Sequence, residues 1–380
     1  PFSSKKFLDE LDNKGIEPLG VTDKWTEGTV TLRLPCTGYR QKEEDAPTFT
    51  VSNIHFRPLL DPIREVLEGP LFSHFHTTPF SLRFDPKFDS DATLSNVTRN
   101  VRSELDSCGL PPLPDGHEDV YGDIYTSRAM LEAYAHIPQP PPPQGPDDPV
   151  ESIVAALMEW SQMRPMLRNL ESRRSGRDIR SSETILKAFA TNQAPVLGSI
   201  KCISPRSVPD TVHDVYRQHY GCDVPKEVFT HLKRDLIHRI WDLLLSDEFL
   251  EAYDHGIKIR CWDGVVRLVF PRLLTYSADY PEKVLLATIK NLGGHPCPRC
   301  LIEKRQIVET GTVNDLKRRK VLRIDTHPRR TAIESARRAI FDTGNAVDGK
   351  PVQRLLQEKS GVPVRVGGWF LGLPSQVIVS

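Results

Sequence analysis

The sequence lacks an excess of either charge. Among 380 residues, 50 are basic and 50 acidic. No global field draws the chain to nucleic acid, so any such contact has to come from a local patch. Long apolar runs are missing too: no stretch approaches the roughly 18 consecutive apolar residues of a membrane helix, and no membrane span is expected. Nothing at Pro1 reads as a signal peptide, and the absence of an initiator Met is what a fragment would show. Cysteines are few. Seven of them, odd in number and scattered, argue against a secreted disulfide framework. Proline is plentiful instead: 32 residues predict long irregular connections. The length allows a sizeable core and one or two domains.

Along the chain, residues 1–60 are mixed and weakly periodic, with Val30 to Leu34 as a strand. Pro62 to Leu67 read as a short helix ended by Gly69-Pro70, and 85–118 as a polar linker. Asp119 to His136 form a strand-turn or a helix, and Pro138 to Pro143 a polyproline-II spacer or an SH3-type ligand. Val150 to Trp160 is a compact apolar run. Between 162 and 205 the character changes: Arg164, Arg168, Arg173, Arg174, Arg177 and Arg180 crowd a stretch without a period, either a phosphate-binding patch or a solvated segment. The strongest helix signal spans Lys226 to Tyr253, where Val228, Leu232, Leu236, Ile240 and Leu243 or Leu244 mark one buried face. Gly256 is its stop. Ile257 and Ile259, the turn Asp263-Gly264, and Val266, Leu268 and Phe270 then form a hairpin, with Cys261 as a core-facing strand residue.

Phe270 to Cys300 is the stretch around which the rest is organised. The strand-like residues Leu273, Leu274 and Tyr276 end at Ser277-Ala278-Asp279, and a helical stripe follows to Leu292, closed by Gly293-Gly294. Asp279 thus stands where a strand becomes a helix, as an N-cap or as a catalytic carboxylate. Glu282, three residues on, caps or faces solvent, with metal ligation as the alternative. Directly after comes His295-Pro296-Cys297-Pro298-Arg299-Cys300. A C-x-x-C among prolines, without a thioredoxin-like pattern, favours half a zinc site over a redox pair. His295 is the nearest third ligand, and no second C-x-x-C supplies the remainder. His74 and His76 make a further pair, packed or metal-ligating. Residues 304–338 are basic, with Lys317, Arg318, Arg319, Lys320 and Arg323 at their centre. They contact a DNA backbone or form the polar face of surface helices.

The segment YSADYPEKVLLATIKNLGGHPCPRCL (276–301) resembles the core of fungal Plavaka-type transposases, relatives of the Kyakuja–Dileera–Zisupton superfamily. The stretches EDVYGDIYTS (118–127), PVESIVAALMEWS (149–161), HLKRDLIHRIWDLLLSDEFLEAYDHGIKIRCWDG (231–264) and GNAVDGKPVQRLL (344–356) agree with it in order. The resemblance implies an α/β fold with an incomplete ribonuclease H-like transposase core, preceded by an irregular, Pro-rich N-terminal region. It implies an N-terminal α+β region over 1–137, a linker over 138–148, a partial core over 149–300, and a basic helical segment with a divergent tail over 301–380. It also implies nuclear localisation, DNA as partner through 304–338, and metal-dependent strand transfer with two Mg²⁺ ions held by three carboxylates.

Asp279 matches the second of those acids. The first belongs after Trp160-Ser161, where the family reads W-S-D-A-T-H and this chain reads Gln162-Met163-Arg164-Pro165. A neutral amide cannot replace a charged ligand. Read as CAG-ATG-CGA-CCC-ATG, Gln162 to Met166 restore D-A-T-H when the frame starts at the last base of the first codon, so residues 162–205 are expected to be out of the ancestral frame. The third acid, in a segment like D-L-x-H-E-F-E-L, is not met before Ser380, and from Val364 the sequence leaves the family pattern. The reading is therefore a transposase remnant that retains neither Mg²⁺ nor activity, with possible Zn²⁺ at Cys297 and Cys300. The alternatives are a co-opted non-catalytic DNA- or chromatin-binding protein and a protein–protein module built on the proline spacer and the helix 226–253.

Overall fold

The first two strands form because apolar residues alternate in both. Thr26–Arg33 (β1) turns Val30 and Leu32 inward, and Thr48–Phe56 (β2) does the same with Phe49 and Val51. They pair antiparallel, with a register shift between Gly28 and Val30. At Gly28 a Cβ would lie 2.6 Å from a methyl of Leu243 and 2.9 Å from the Phe56 ring, so a larger residue there would push those side chains aside. The computed structural model describes residues 25–84, 118–120, 122, 124–160, 182–185, 196–197, 201–204, 208–356 and 359–365. Most of the expected linker 85–118, Gln162 and the arginine crowd Arg164 to Arg180 lie outside them.

Leu60–Glu68 (α1) buries Leu60, Ile63 and Leu67 on one face. A short hairpin follows from Leu82–Phe84 (β3) and Glu118–Val120 (β4). Arg128–His136 (α2) is capped by Ser127, whose Oγ accepts from Met130 N at 3.2 Å. After the proline run a short stretch, 144–150, leads into Glu151–Trp160 (β5). Three short strands come next: Ser182–Ile185 (β6), Val196–Leu197 (β7) and Lys201–Ser204 (β8). β8 extends the first sheet in the order β1-β2-β8-β6, while β7 lies at an edge of a second sheet.

Val212–Tyr220 (α3) precedes Lys226–Leu244 (α4) and Asp247–His255 (α5). The single helix expected over 226–253 is therefore two. Ser246 ends the first by capping the second, its Oγ accepting from Phe249 N at 3.3 Å, with Asp247 and Glu248 in the first turn. The predicted stripe Val228, Leu232, Leu236, Ile240 and Leu244 is buried. Gly256 closes α5 with φ +76, and a Cβ there would meet Leu268 and Phe270 at 2.8–2.9 Å.

Ile257–Arg260 (β9) and Val266–Ser277 (β10) make the predicted hairpin, turning at Gly264 with φ +80. Cys261 is buried, as expected, but sits just past β9, in the turn. The two apolar runs read separately on either side of Pro271 are one 12-residue strand. β10 pairs parallel with β5 along its length, from Arg267↔Glu151 to Ser277↔Trp160, so the second sheet, β7-β5-β10-β9, is mixed. Ile153, Ala155, Leu157, Val269 and Leu273 face the main core, while Val154, Ala156, Phe270 and Leu274 pack with Met130 and Ile137 on the other side. Burial on both faces is why these strands read as continuous apolar runs.

Tyr280–Leu286 (α6) follows β10. The helical stripe expected to Leu292 stops earlier, because Thr288 and Leu292 adopt positive φ, +48° and +54°. Val313–Arg319 (α7), His327–Phe341 (α8) and Lys350–Leu356 (α9) complete a mixed α/β architecture.

Candidate functional site

Two adjacent parallel strands, β5 and β10, end together, since their last residues, Trp160 and Ser277, are partners in register. Asp279 lies two residues beyond that edge and is exposed. It is the N-cap of α6: its Oδ1 accepts from Glu282 N at 3.0 Å, and Pro281 sits in the first turn. One carboxylate oxygen is thus committed locally at a position open to solvent. Glu282 departs from expectation. It is only 4% exposed, and its carboxylate accepts from the hydroxyl of Tyr276, whose ring packs edge-on against Trp241 at 5.7 Å. Solvent is not where it points, because the short helix presses its first turn onto the end of β10.

Among the described residues no three His, Cys, Asp or Glu side chains are placed to share a cation. Magnesium in a two-metal centre needs several converging carboxylates. Asp279 and Glu282 do not supply that set, one exposed as a cap and the other buried against a tyrosine.

Cys297 and Cys300 share a tight turn, with Cys300 N donating to Cys297 Sγ at 3.4 Å, and neither is in a disulfide. Burial pushes the Cys300 thiol above its ordinary pKa, so a zinc ion there would have to displace a proton. The loop is held from behind by Arg323. This side chain, 6% exposed, donates to the carbonyls of Cys297 (3.3 and 3.2 Å), His295 (3.2 Å) and Lys359 (3.0 Å). His295 is brought to the same loop, its N–H donating to Ser360 Oγ at 2.9 Å. Its ring does not join the two sulfurs as a third ligand. The donor set is half of a tetrahedral site. His74 and His76 are exposed, and His76 lies against Phe80 and Tyr125.

The basic segment resolves into three populations. Arg323, placed by sequence among the DNA contacts, is turned inward. Several others hold acids: Arg305 with Glu303, Arg318 with Glu309 at 2.5 Å, Arg319 with Asp315 at 2.8 Å, and Arg329 and Arg330 with Asp325. Lys317 and Lys320 are exposed and make no ion pair among the described residues. Around them lies apolar surface, with Val308, Val313, Leu316, Val321 and Ile324 all exposed.

Sequence reasoning missed the buried polar cluster on α4. His231, Asp235 and His238 recur at helical spacing beside the apolar stripe and are all buried. Arg337 of α8, 1% exposed, lies 3.7 Å from Asp235 and donates to both oxygens of Glu43 (Nε, 3.1 Å) and to the carbonyl of Pro363 (3.0 Å). Arg365 joins Glu43 to Glu334. Burial alone would raise the Glu43 carboxyl, but hydrogen bonds from Arg337 and Arg365 outweigh it and hold it at about 2. Burial, reinforced by the Arg337 charge, pushes His231 down to about 4; burial does the same to His238, whose Nε2 lies 3.2 Å from Leu285 O. The signal available in the sequence was three polar residues placed along the flank of a helical stripe. That face of α4 is therefore committed to the core, and its exposed residues are those such as Lys226, Thr230 and Lys233.

Residues 218–344 match the family described as Plavaka transposase. No curated protein and no solved structure matches the chain.

Proposed function

We propose, for a chain whose residues 218–344 match the Plavaka transposase family, that it is a transposase-derived protein that binds DNA without cutting it. The observation that carries the reading is the shared end of β5 and β10. That edge is where a ribonuclease H-like core would gather its first two acids, and the matching positions in sequence are Gln162 and Asp279. With an amide in one and an N-cap in the other, the charge that would hold Mg²⁺ is not assembled from these two strands. The fold-family proposal rests on the parallel β5/β10 pair, the antiparallel β9 and the helix α6 that follows β10.

DNA contact rests on Lys317 and Lys320, which are free to meet phosphate, with Arg318 and Arg319 able to exchange their acids for it. The same basic run would serve nuclear entry. A nicking assay on supercoiled plasmid with Mg²⁺ or Mn²⁺ tests the reading. No nicking is expected; nicking that Asp279→Asn abolishes would overturn it.

The Cys297/Cys300 turn supports a second element of the proposal, a zinc clip completed by ligands beyond His295. Zinc should copurify in protein prepared without chelator and be lost in the Cys297→Ser, Cys300→Ser variant. Zinc-free protein with intact thiols would remove the clip.

A further inference from the structure

A cleft of about 330 Å³ opens between the first turns of α4 and the segment that includes α9 and runs on to Pro363. Its size suits a small molecule. Three cations line it: Lys226 and Arg234 from α4, and Lys290 from the loop after α6. None of the three side chains makes an ion pair or hydrogen bond among the described residues. For Arg234 this is costly, because it is half-buried, and burial without an offsetting acid disfavours its charge. Everywhere else in this part of the fold, a half-buried or buried arginine has found an acid or a carbonyl, as Arg323, Arg329 and Arg337 do. The cleft also holds Glu227 and Asp348, which make no ion pair among the described residues. Val352, Leu356 and Val362 supply an apolar wall.

Separated charges of both signs around an open space leave room for a ligand that satisfies both. We propose that this cleft binds a small hydroxyl-bearing phosphate ester, such as a nucleoside monophosphate. Its phosphate meets Arg234, Lys226 and Lys290, its hydroxyls donate to Asp348 or Glu227, and its apolar part lies on Leu356 and Val362. Arg234 is the anchor, since a guanidinium can hold two phosphate oxygens at once. The site is separate from the basic surface around Lys317 and does not depend on DNA binding.

Titration calorimetry of the full chain with adenosine monophosphate, inorganic phosphate and adenosine tests it. The monophosphate should bind saturably and about tenfold more tightly than phosphate, with adenosine weaker than both. Arg234→Met and Lys290→Met should each weaken the monophosphate about tenfold or more. Arg234→Met should also leave the melting temperature unchanged or raised, since it removes a cation with no partner, which keeps lost binding distinct from lost folding. A Lys317→Gln, Lys320→Gln variant should bind the monophosphate as the parent does. Absence of saturable binding, or equal affinity in the Arg234 and Lys290 variants, overturns the proposal. Stoichiometric displacement of the monophosphate by duplex DNA also overturns it, by assigning the cleft to a nucleic-acid backbone.

Discussion

Arg337 and Arg318 come from one basic stretch of sequence and end in opposite environments. Arg337 is sealed in the core against Glu43 and Asp235, while Arg318 lies part-exposed on Glu309 at the surface. The same side chain therefore serves as a structural bolt in one place and as a screened, exchangeable charge in the other. What separates them is their partners. Arg337 meets acids supplied by distant segments, which fix it, whereas Arg318 meets an acid nine residues away, a contact that salt and solvent weaken. Positive charge in a sequence thus says little about DNA until its acids are located.

The contrast is broken most directly by Arg337→Met. Removing one partner of a buried ion network leaves Asp235 without its arginine and Glu43 with Arg365 alone, with a cost of about 3–5 kcal/mol in urea unfolding. Adding Glu43→Gln should recover part of that loss; an Arg318→Gln control should stay within about 0.5 kcal/mol. A single-variant loss no larger than that of the control would show that the bolt is not structural.

Acid acts on the same cluster. His231 and His238 have folded pKa values near 4 against an ordinary 6.5, so the unfolded chain takes up protons first. Stability is full above pH 6.5 and falls as pH drops toward 4. Glu43, held near 2 against an ordinary 4.5, extends the loss below pH 4.5. Chemical denaturation at stepped pH checks this, and a midpoint that does not move between pH 7 and pH 4.5 would contradict it. Replacing both histidines with asparagine should flatten the upper part of the curve.

On the surface side, Lys317→Gln with Lys320→Gln should lower the slope of log affinity for duplex DNA against log salt by about 1.8, near 0.9 per phosphate lost, and equally for unrelated sequences. Arg318→Gln should change it less, because Glu309 already competes for that charge. An unchanged slope in the double variant would move DNA contact elsewhere. The smallest effect is local: Asp279→Ala should cost about 1 kcal/mol as a lost helix cap, while Asp279→Asn should be near neutral, since asparagine caps as well.

Much of the scaffold was legible because it is written in spacing. The α4 stripe, the β9–β10 hairpin with its Asp263-Gly264 turn and the closing role of Gly256 all follow from local pattern, while β5 showed only as a compact apolar run. The break at Ser246 was readable too, as a capping serine ahead of two acids, but a continuous apolar pattern masked it. Parallel pairing of β5 with β10 was not readable, since more than a hundred residues separate the strands in the chain and period-2 patterns carry no direction. At the site, Asp279 as cap and the Cys297/Cys300 turn came from sequence. The inward turn of Arg323 and the burial of Glu282 did not, because a side chain's partner is set by tertiary approach.

The Glu43 carboxylate lies 294 residues from Arg337 and 322 from Arg365 in the chain. During synthesis from the N-terminus, the segment carrying Glu43 emerges long before the residues that neutralise it. Arg337 becomes available to Glu43 first, and Arg365 completes the pairing only once it too has been made. Loop closure over such spans is slow. A chain cut before Arg365 should therefore keep the Arg337–Glu43 pair but leave Glu334 and one side of Glu43 without their arginine.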